Sequence, residues 1–405
     1  MGDQFADLYS DRAHKLKASM IRELLKLVMK PEIISLAGGW PSPDTFPVSE
    51  SLEIFQDILK ENPEYVLQYG TSEGLLQLRE FLIEWALEHD EIEMTVDNII
   101  ITNGSQQGME LASKVLIDPG DVVVVGLPTY FGGTGAFSSY GAELIGVPLD
   151  DHGMRMDLLE EKLISVQKSD RRVKFVYVQP NFHNPAGVTM PAERRRKLLD
   201  LASRFNFLIV EDNPYGDLRY DGEPVPPIAS LDPEERVIYL RSFSKVFSPG
   251  IRMAWVRGEK ALIRKMVIAR QFIDNCANTP CQYILYEFCR RGYLDRRIAQ
   301  NIAYYKEKRD FMLEALDRYF PKELKWNRPE GGFFVFFTLP PYMDGEELLQ
   351  EAIARHVAFV AGAPFFIDGS GRNTLRLSYA QPNKEEIEKA VKIVAEVIKE
   401  RLTKE

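Results

Sequence analysis

The chain has 405 residues, of which 45% are hydrophobic and 27% are charged, enough to bury the core of one large domain and a smaller one. Its net charge of -10 argues against non-specific binding to nucleic acids or anionic membranes, and no apolar stretch reaches the ~18 residues that a membrane span requires. The amino terminus lacks the basic and apolar regions of a secretory signal, so we expect a cytoplasmic protein.

The amino-terminal region predicts helices and one extended segment. Apolar residues recur at helical spacing over residues 10–30, which indicates an amphipathic helix that ends at a proline. Residues 33–47 combine an apolar run with two glycines and three prolines, a composition typical of an extended, turn-rich segment. Two more helices are predicted over residues 49–60 and 74–88, and the loop between them carries Tyr69.

From residue 97 onward, short apolar runs alternate with helical patterns such as the one over residues 191–204. This alternation indicates an α/β fold in which a mainly parallel sheet lies between helices. Ligands bind such sheets where loops leave the carboxyl ends of the strands, so polar residues that follow the strands are candidates for a site. The predicted strands are residues 98–102, 122–125, 174–178, 207–210, 237–240 and 253–256.

After about residue 260, long helical patterns and two further strands predict a smaller α+β domain. Three cysteines lie among these helices, and neither their number nor their spacing fits a disulfide framework or a common metal site. The five histidines form no metal-binding motif either, so we expect no metal. The predicted helices are 260–275, 278–290, 295–319, 344–355 and 383–402, and the strands are 332–338 and 374–378.

The predicted division of the chain has three parts. Residues 1–48 form a helix and an extended segment beside the small domain and the site. Residues 49–295 form the large domain, and residues 296–405 form the small carboxyl-terminal domain.

One lysine follows the predicted strand at residues 237–240. Lys245 stands beside Ser242 and Ser244 and seven residues ahead of Arg252. Hydroxyl and guanidinium groups at these positions can hold a phosphate next to a nucleophilic amine, which is the combination that pyridoxal 5'-phosphate (PLP) chemistry requires. Taken alone, the same pattern also fits a polar loop with a solvated lysine.

Other strand ends carry further candidates. The helix that begins at residues 104–106 offers free backbone N–H groups to an anion. Tyr130 can lie on a planar ring, and the amide of Asn184 can donate to a phenolate oxygen. Asp212 can pair with a protonated pyridine nitrogen, and Tyr215 can donate to a ring oxygen. Each residue also fits an ordinary structural role, as helix start, core aromatic, Asx-Pro turn or helix cap, so only their combination is informative.

This ordered set resembles the class I and II aminotransferases, which are fold-type I PLP enzymes. The resemblance extends from about residue 12 to residue 400 and is closest to the kynurenine, 2-aminoadipate and aromatic aminotransferase subgroup. Ala186 stands where many relatives have threonine, and the interval from Lys245 to Arg252 is one residue shorter than in many class I relatives but fits the subgroup. The motifs that carry the resemblance are Ser-Leu-Ala-Gly-Gly-Trp-Pro-Ser-Pro, Leu-Gln-Tyr-Gly, Asn-Pro-Ala-Gly, Glu-Asp-Asn-Pro-Tyr and Ser-Phe-Ser-Lys.

The resemblance implies roles for the cofactor-binding residues. Lys245 would form the Schiff base with PLP and act as general base once the substrate amine has displaced it. Asp212 would hold the pyridine nitrogen, and Tyr130 would stack on the ring. Asn184 and Tyr215 would contact the ring hydroxyl. The phosphate would be held by Ser105, Gln106, Ser242, Ser244 and Arg252, together with Tyr69 from a second subunit.

The resemblance also implies a substrate site. Arg376 would bind the substrate α-carboxylate, with Gly39 and Asn184 beside it. Arg22 is a candidate for binding an acidic side chain such as that of 2-aminoadipate, although a solvated helix arginine paired with a glutamate fits equally. Trp40 and Phe365 would favour aromatic side chains, or would belong to the core.

The expected activity is therefore transamination. An amino acid of aromatic, kynurenine or 2-aminoadipate type would give its amino group to 2-oxoglutarate by a ping-pong mechanism. The enzyme would be a homodimer with the active site at the subunit interface, and it would bind neither nucleic acid nor membrane.

Two other hypotheses stay open. A PLP-dependent lyase or synthase on the same fold would use the same lysine, aspartate and arginine, although the motifs of the amino-terminal segment favour transamination. A regulatory module of this fold, which binds ligand without turnover, normally carries a DNA-binding domain. We expect none here because the resemblance begins only a few residues into the chain.

Overall fold

The computed structural model describes residues 4–15, 32–169 and 171–402. Its helices are Asp11–Lys15, Val48–Glu61, Pro63–Val66, Leu76–Asp90, Ser105–Leu116, Phe131–Ser139, Met156–Lys168, Ala192–Phe205, Lys260–Gln271, Thr279–Arg290, Tyr293–Tyr319, Gly345–Ala354 and Lys384–Leu402. Its strands are β1 Ile34–Ser35, β2 Ile99–Thr102, β3 Val122–Leu127, β4 Glu143–Asp150, β5 Gly153–Met154, β6 Val173–Val178, β7 Leu208–Asp212, β8 Val237–Ser242, β9 Ala254–Arg257, β10 Lys325–Trp326, β11 Phe334–Thr338, β12 Val357–Ala358, β13 Val360–Ala361 and β14 Thr374–Ser378.

Within the described residues, eight strands form the large sheet in the order β2-β9-β8-β7-β6-β3-β4-β5. The run from β8 to β4 is parallel, whereas β9 is antiparallel to both of its neighbours and β5 is antiparallel to β4. Alternate residues of β3 enter two separate apolar clusters, with Val122 and Val124 on one face and Val123 and Val125 on the other. The predicted α/β fold with a mainly parallel, doubly covered sheet is confirmed.

The carboxyl ends of β2, β3, β6, β7 and β8 lie at one edge of this sheet. They share this edge because β2 and the parallel strands point the same way. The apolar runs that make these strands stop at polar or turn-forming residues, so each following loop leaves the sheet at the same side. This is the edge at which open α/β sheets bind ligands.

A second sheet has the antiparallel order β10-β11-β14-β13. Beside it, β1 pairs in parallel with β12, and the backbone N–H of Ser378 donates to the carbonyl of Leu36 (2.8 Å). The amino-terminal segment is therefore attached to the sheet that carries Arg376. The helix Tyr293–Tyr319 crosses the predicted boundary at residues 295 and 296, and the division into domains stays a prediction.

Most predicted elements lie within a few residues of their observed bounds. The glycine-rich helix Phe131–Ser139 was missed because three glycines and two serines give neither helical propensity nor periodicity. β4 was also missed, since its mixed exposure removes the continuous apolar run. Of the predicted helix 10–30, residues Asp11–Lys15 are helical, and residues 16–30 lie outside the described part of the chain.

Within the described part of the chain, no helix is long and apolar enough to cross a membrane. The same residues contain no group of three or more histidine, cysteine, aspartate or glutamate side chains that could hold a metal ion.

Candidate active site

A cavity of about 450 Å³ opens at the carboxyl edge of the large sheet. Its walls come from the strand ends, from the amino-terminal segment and from β14, so residues far apart in the sequence meet there. Thirteen residues predicted from the sequence line it, namely Gly39, Trp40, Ser105, Gln106, Tyr130, Asn184, Asp212, Tyr215, Ser242, Ser244, Lys245, Arg252 and Arg376.

A larger cavity of about 540 Å³ lies beside Trp85 and Asp295 and contains none of the predicted residues. Arg241, which lines it, forms ion pairs with Asp90 and Asp217 and stacks on Trp85. Charges that neutralise one another in this way are typical of a structural network. The smaller cavity is the candidate active site because Asp212 and Arg376, which line it, each have a buried polar atom without a hydrogen-bond partner in the described part of the chain.

Lys245 lies beyond the end of β8 and points into the cavity. Its Nζ donates to the carbonyl of Gly39 (2.8 Å). Burial, followed by the positive charges of Arg376 and Arg252, lowers the pKa of Lys245 to about 8, against the opposing effect of Asp212. A larger fraction of this amine is therefore neutral and nucleophilic near neutral pH than for a solvated lysine.

Asp212 is the last residue of β7 and is 2% exposed. Its Oδ2 accepts hydrogen bonds from the hydroxyl of Tyr177 (2.8 Å) and the side-chain amide of Gln179 (2.7 Å). Burial raises the pKa of Asp212, whereas the bonds from Gln179 and Tyr177 and the charge of Lys245 lower it. The other oxygen, Oδ1, is buried without a hydrogen-bond partner among the described residues. Burying a carboxylate oxygen without a hydrogen-bond donor costs free energy, so such an atom usually faces a bound group.

Polar groups converge at the start of the helix Ser105–Leu116. Gly104 has φ +82°, and a side chain there would collide with the guanidinium group of Arg252. Ser242 donates to Ser244 (2.9 Å) from the neighbouring strand end. The helix amino terminus, two hydroxyl groups and one arginine thus form an anion site.

Asp274 holds the loop at the start of that helix from outside the cavity. Its Oδ2 accepts from the side chains of Asn103 (2.6 Å) and Gln107 (2.5 Å), which flank the loop. Arg270 donates to Oδ1 of Asp274 (3.0 Å) and to the carbonyl of Ile101. The backbone N–H groups of the loop are therefore held in a fixed direction before any anion binds.

Arg376 in β14 faces the cavity from the opposite wall and is 2% exposed. It donates to Oδ1 of Asn184 (2.6 Å) and to the carbonyl of Ala37 (2.6 Å), and its Nε has no partner among the described residues. The guanidinium group lies 4.1 Å from the ring centre of Phe334 and 5.0 Å from that of Phe365. Burial lowers its pKa to about 10. A buried guanidinium whose contacts among the described residues are with neutral groups is suited to bind a carboxylate.

The comparisons with known proteins agree with this geometry. The family model described as Aminotransferase class I and II matches residues 33–394. The chain belongs to the class I and II aminotransferases. The aminotransferase is 48% identical over 396 residues to aromatic-amino-acid aminotransferase 1 of Thermococcus litoralis, which covers 98% of this chain and 95% of that protein. It is 38% identical over 400 residues to 2-aminoadipate transaminase of Thermus thermophilus, covering 98% and 97% respectively.

Among solved structures, the aminotransferase matches the Pyrococcus horikoshii kynurenine aminotransferase in complex with PMP. The TM-score is 0.95 and the identity 44%, over 98% of both chains. Its named relatives and its family make it a PLP-dependent transaminase.

The residues present fit this cofactor. The unpartnered Oδ1 of Asp212 suits a protonated pyridine nitrogen. The anion site around Ser105 and Arg252 suits a phosphate. Tyr215 is buried against Phe333 and Phe334, and burial raises its pKa, so its hydroxyl group stays protonated and can donate to a ring oxygen.

Three predicted residues of the aminotransferase do not line the cavity. Phe365 is buried against Arg376, and Tyr69 is 79% exposed on its loop. Arg22 lies outside the described residues. Gln179 and Tyr177, which hold Asp212, were not predicted from the sequence. Gln179 directly follows β6 and so had a positional signal, whereas Tyr177 lies within an apolar strand and had none.

Proposed function

We propose that this aminotransferase moves the amino group of aromatic, kynurenine-type or 2-aminoadipate-type amino acids to 2-oxoglutarate in ping-pong order. The observation that carries the proposal is the presence, in one cavity, of Lys245 with a lowered pKa and of Arg376 without a carboxylate partner in the described part of the chain. One group supplies an amine, and the other holds the carboxylate that amino acids and 2-oxo acids share.

Arg376 binds the α-carboxylate in this proposal. The planar guanidinium can donate two parallel hydrogen bonds to a carboxylate, which lysine cannot reproduce. Arg376 already donates to Asn184 and Ala37, so its orientation is fixed before the substrate arrives. Both the amino acid and the 2-oxo acid would therefore be held by the same group in the two halves of the reaction.

PLP, when bound, supplies an electron sink for the electron pair left when the Cα–H bond breaks. Lys245 would hold the cofactor through Nζ. Once free again, the amine of Lys245 would take the proton from the substrate Cα, because its lowered pKa leaves a larger fraction unprotonated near neutral pH than for a solvated lysine. Asp212 would keep a proton on the pyridine nitrogen through Oδ1, and Asn184 and Tyr215 would donate to the ring oxygen. Tyr130 would contact the ring.

The phosphate end of the site would be completed by a second copy of the chain. In this subunit the phosphate would be bound by Ser105, Gln106, Ser242, Ser244 and Arg252. Tyr69 of the partner subunit would add its hydroxyl group. Gln106 takes part through its backbone, because its side-chain nitrogen donates to the carbonyl of Gly132 (2.8 Å).

A homodimer is supported by the distribution of exposed apolar side chains. The helix Thr279–Arg290 packs against the helices Val48–Glu61, Pro63–Val66 and Leu76–Asp90, so their outer sides adjoin. Large exposed apolar groups of this kind mark interfaces. The large exposed apolar side chains of the first three of these helices in chain order, of the loop at Leu67 and Tyr69 and of the turn after Lys260–Gln271 are Val48, Leu52, Phe55, Tyr65, Leu67, Tyr69, Leu76, Leu87, Phe272 and Ile273, which are 39–82% exposed.

The choice of substrate rests on the cavity wall and on the relatives. Trp40 and Phe131 line the cavity, and Trp40 is 37% exposed, which favours an aromatic substrate side chain. Phe365 is buried beneath Arg376 and supports that arginine. The named relatives act on aromatic amino acids, kynurenine and 2-aminoadipate, which supports a broad enzyme. For an acidic substrate side chain the candidate is Arg22.

The free cysteines Cys276, Cys281 and Cys289 support a cytoplasmic location.

The proposal is tested by the visible absorbance of the purified enzyme and a panel of amino donors with 2-oxoglutarate. We expect the donor alone to convert the bound cofactor to its amino form, and 2-oxoglutarate alone to reverse the change. Formation of glutamate should match the loss of donor. Repeated turnover of the donor without any added oxo acid, beyond one equivalent per active site, would instead indicate a lyase or synthase and would refute transamination as the main activity.

A further inference from the structure

We propose that Gln179 is a positioning residue that links the cofactor side of the cavity to its substrate side. The inference rests on the proposed function, in which Asp212 holds the cofactor ring and Arg376 holds the substrate. Gln179 is 5% exposed and directly follows β6. Its side-chain nitrogen donates to Oδ2 of Asp212 (2.7 Å), and its side-chain oxygen accepts the backbone N–H of Asn184 (3.1 Å).

The two ends of the Gln179 amide are not interchangeable. In the flipped orientation, the amide oxygen would face the carboxylate of Asp212 and the NH₂ group would face the N–H of Asn184. Two attractive contacts would then become two repulsive ones. The neighbours therefore hold Gln179 in one orientation, and Gln179 in turn sets the separation between Asp212 and Asn184.

The same path continues to the substrate side. Oδ1 of Asn184 accepts from Nη1 of Arg376 (2.6 Å), so three hydrogen bonds connect Asp212 with Arg376. All four residues on this path are at most 7% exposed. Hydrogen bonds screened from water are stronger and transmit changes in geometry to their neighbours. Ordering one end of the path consequently favours the arrangement needed at the other end, and this coupling acts in both directions.

Tyr177 supplies a matched comparison. Its hydroxyl group donates to the same oxygen of Asp212 (2.8 Å), and it is 1% exposed. It has no hydrogen bond to Asn184 or Arg376 among the described residues. Loss of the Tyr177 hydroxyl group removes one hydrogen bond from Asp212 and none from the path itself, so it should weaken the binding of PLP. In the PLP-loaded enzyme the cofactor would also hold Asp212, so the substrate side should stay nearly unchanged.

The charged and titratable groups that face Asp212 come from several elements. They are Tyr177 of β6, Tyr215 after β7 and Lys245 after β8. Tyr177 and Tyr215 have raised pKa values through burial and stay neutral over the working range. A carboxylate placed at position 179 would therefore interact chiefly with Asp212 and Lys245.

Two binding affinities report separately on the cofactor end and the substrate end of the path. The first is that of the cofactor-free enzyme for PLP, followed by visible absorbance. The second is that of the PLP-loaded enzyme for 3-phenylpropionate, a carboxylate without an amino group to react. We expect Gln179→Leu to weaken both about tenfold, and Tyr177→Phe to weaken PLP binding alone. Asn98→Leu, which removes a buried amide with three hydrogen bonds to Thr95 and Gly258 at the opposite edge of the sheet, should change neither. Loss of only one affinity in Gln179→Leu would overturn the proposal, and a parent enzyme that binds no PLP would overturn the proposed function itself.

Gln179→Glu distinguishes positioning from space filling and also serves if the leucine variant does not fold. At low pH the neutral carboxyl group can donate to Asp212 and accept from Asn184, so both affinities should approach those of the parent. As the pH rises, the two adjacent carboxyl groups release their shared proton and repel one another, and both affinities should fall together. Affinities that do not depend on pH beyond the parent's own profile would contradict the proposal, because filling space requires no proton.

Discussion

Arg376 offers a prediction in which binding and stability change differently. In Arg376→Met, two hydrogen bonds to a substrate carboxylate are lost. Taking at least ~1.5 kcal/mol for each bond to a charged group gives about 3 kcal/mol, or roughly a hundredfold loss in kcat/KM for every amino acid. The stability of the fold should change much less. Removing a buried cation relieves its desolvation, which offsets the loss of the bonds to Asn184 and Ala37. We expect the free energy of unfolding to change by no more than about 1 kcal/mol.

Arg195 is the matched control for this measurement. It is fully buried, and its three nitrogens donate to Asn181 and to the carbonyls of Met190, Pro180 and Pro226. Arg195→Met would leave these acceptors without donors, at a cost of about 3–5 kcal/mol. Denaturant unfolding and steady-state kinetics on phenylalanine and 2-aminoadipate measure both effects. Equal destabilisation by the two substitutions would refute the view that the desolvation cost of the buried Arg376 charge offsets its hydrogen bonds. A kinetic defect confined to acidic substrates would make Arg376 a side-chain selector.

Four further outcomes are expected. Lys245→Ala should abolish both turnover and the absorbance of the covalently held cofactor, and appreciable residual transamination would exclude Lys245 as the essential amine. The rate at which cofactor-free enzyme takes up PLP should rise with pH and level off above about 8, since Lys245 must lose its proton to react; a midpoint near ~10.4 would show an unperturbed lysine. Tyr69→Phe should weaken PLP binding about fivefold to tenfold while sedimentation still shows a dimer, and unchanged affinity would remove Tyr69 from the phosphate site. Arg22→Ala should raise KM for 2-aminoadipate but not for phenylalanine, and an equal effect on both would eliminate side-chain selection by Arg22.

The elements and site residues that could be predicted from the sequence are those that depend on residues close together in the chain. Apolar runs such as β3 and β6 are bounded by turn residues, so their positions and the polar groups after them followed directly. The helix Phe131–Ser139 did not follow, because its formation depends on packing against the helix Ser105–Leu116 and not on its own glycine-rich sequence.

The electrostatic state of the site could not be predicted in the same way. Gln179 and Tyr177 reach Asp212 across 33 and 35 residues of sequence, so no local pattern reveals that Oδ2 is occupied and Oδ1 is not. The unpartnered Nε of Arg376 likewise depends on the packing of Phe334 and Phe365 around it. These features follow from three-dimensional contacts and give the roles of the predicted residues their physical basis.

The attachment of β1 to β12 has a consequence for how substrate range can change. The backbone N–H of Leu36 donates to the carbonyl of Ala358, and the carbonyl of Leu36 accepts from the N–H of Ser378. The carbonyl of Ala37 accepts a hydrogen bond from Arg376. The wall up to Ala37 is thus connected to Arg376 by hydrogen bonds, and changing that wall would disturb the group proposed to bind the carboxylate of every substrate. Trp40, three residues further on and 37% exposed, lies beyond these hydrogen bonds. Substitutions of Trp40 should therefore change which substrate side chains the enzyme accepts, with the least effect on transamination itself.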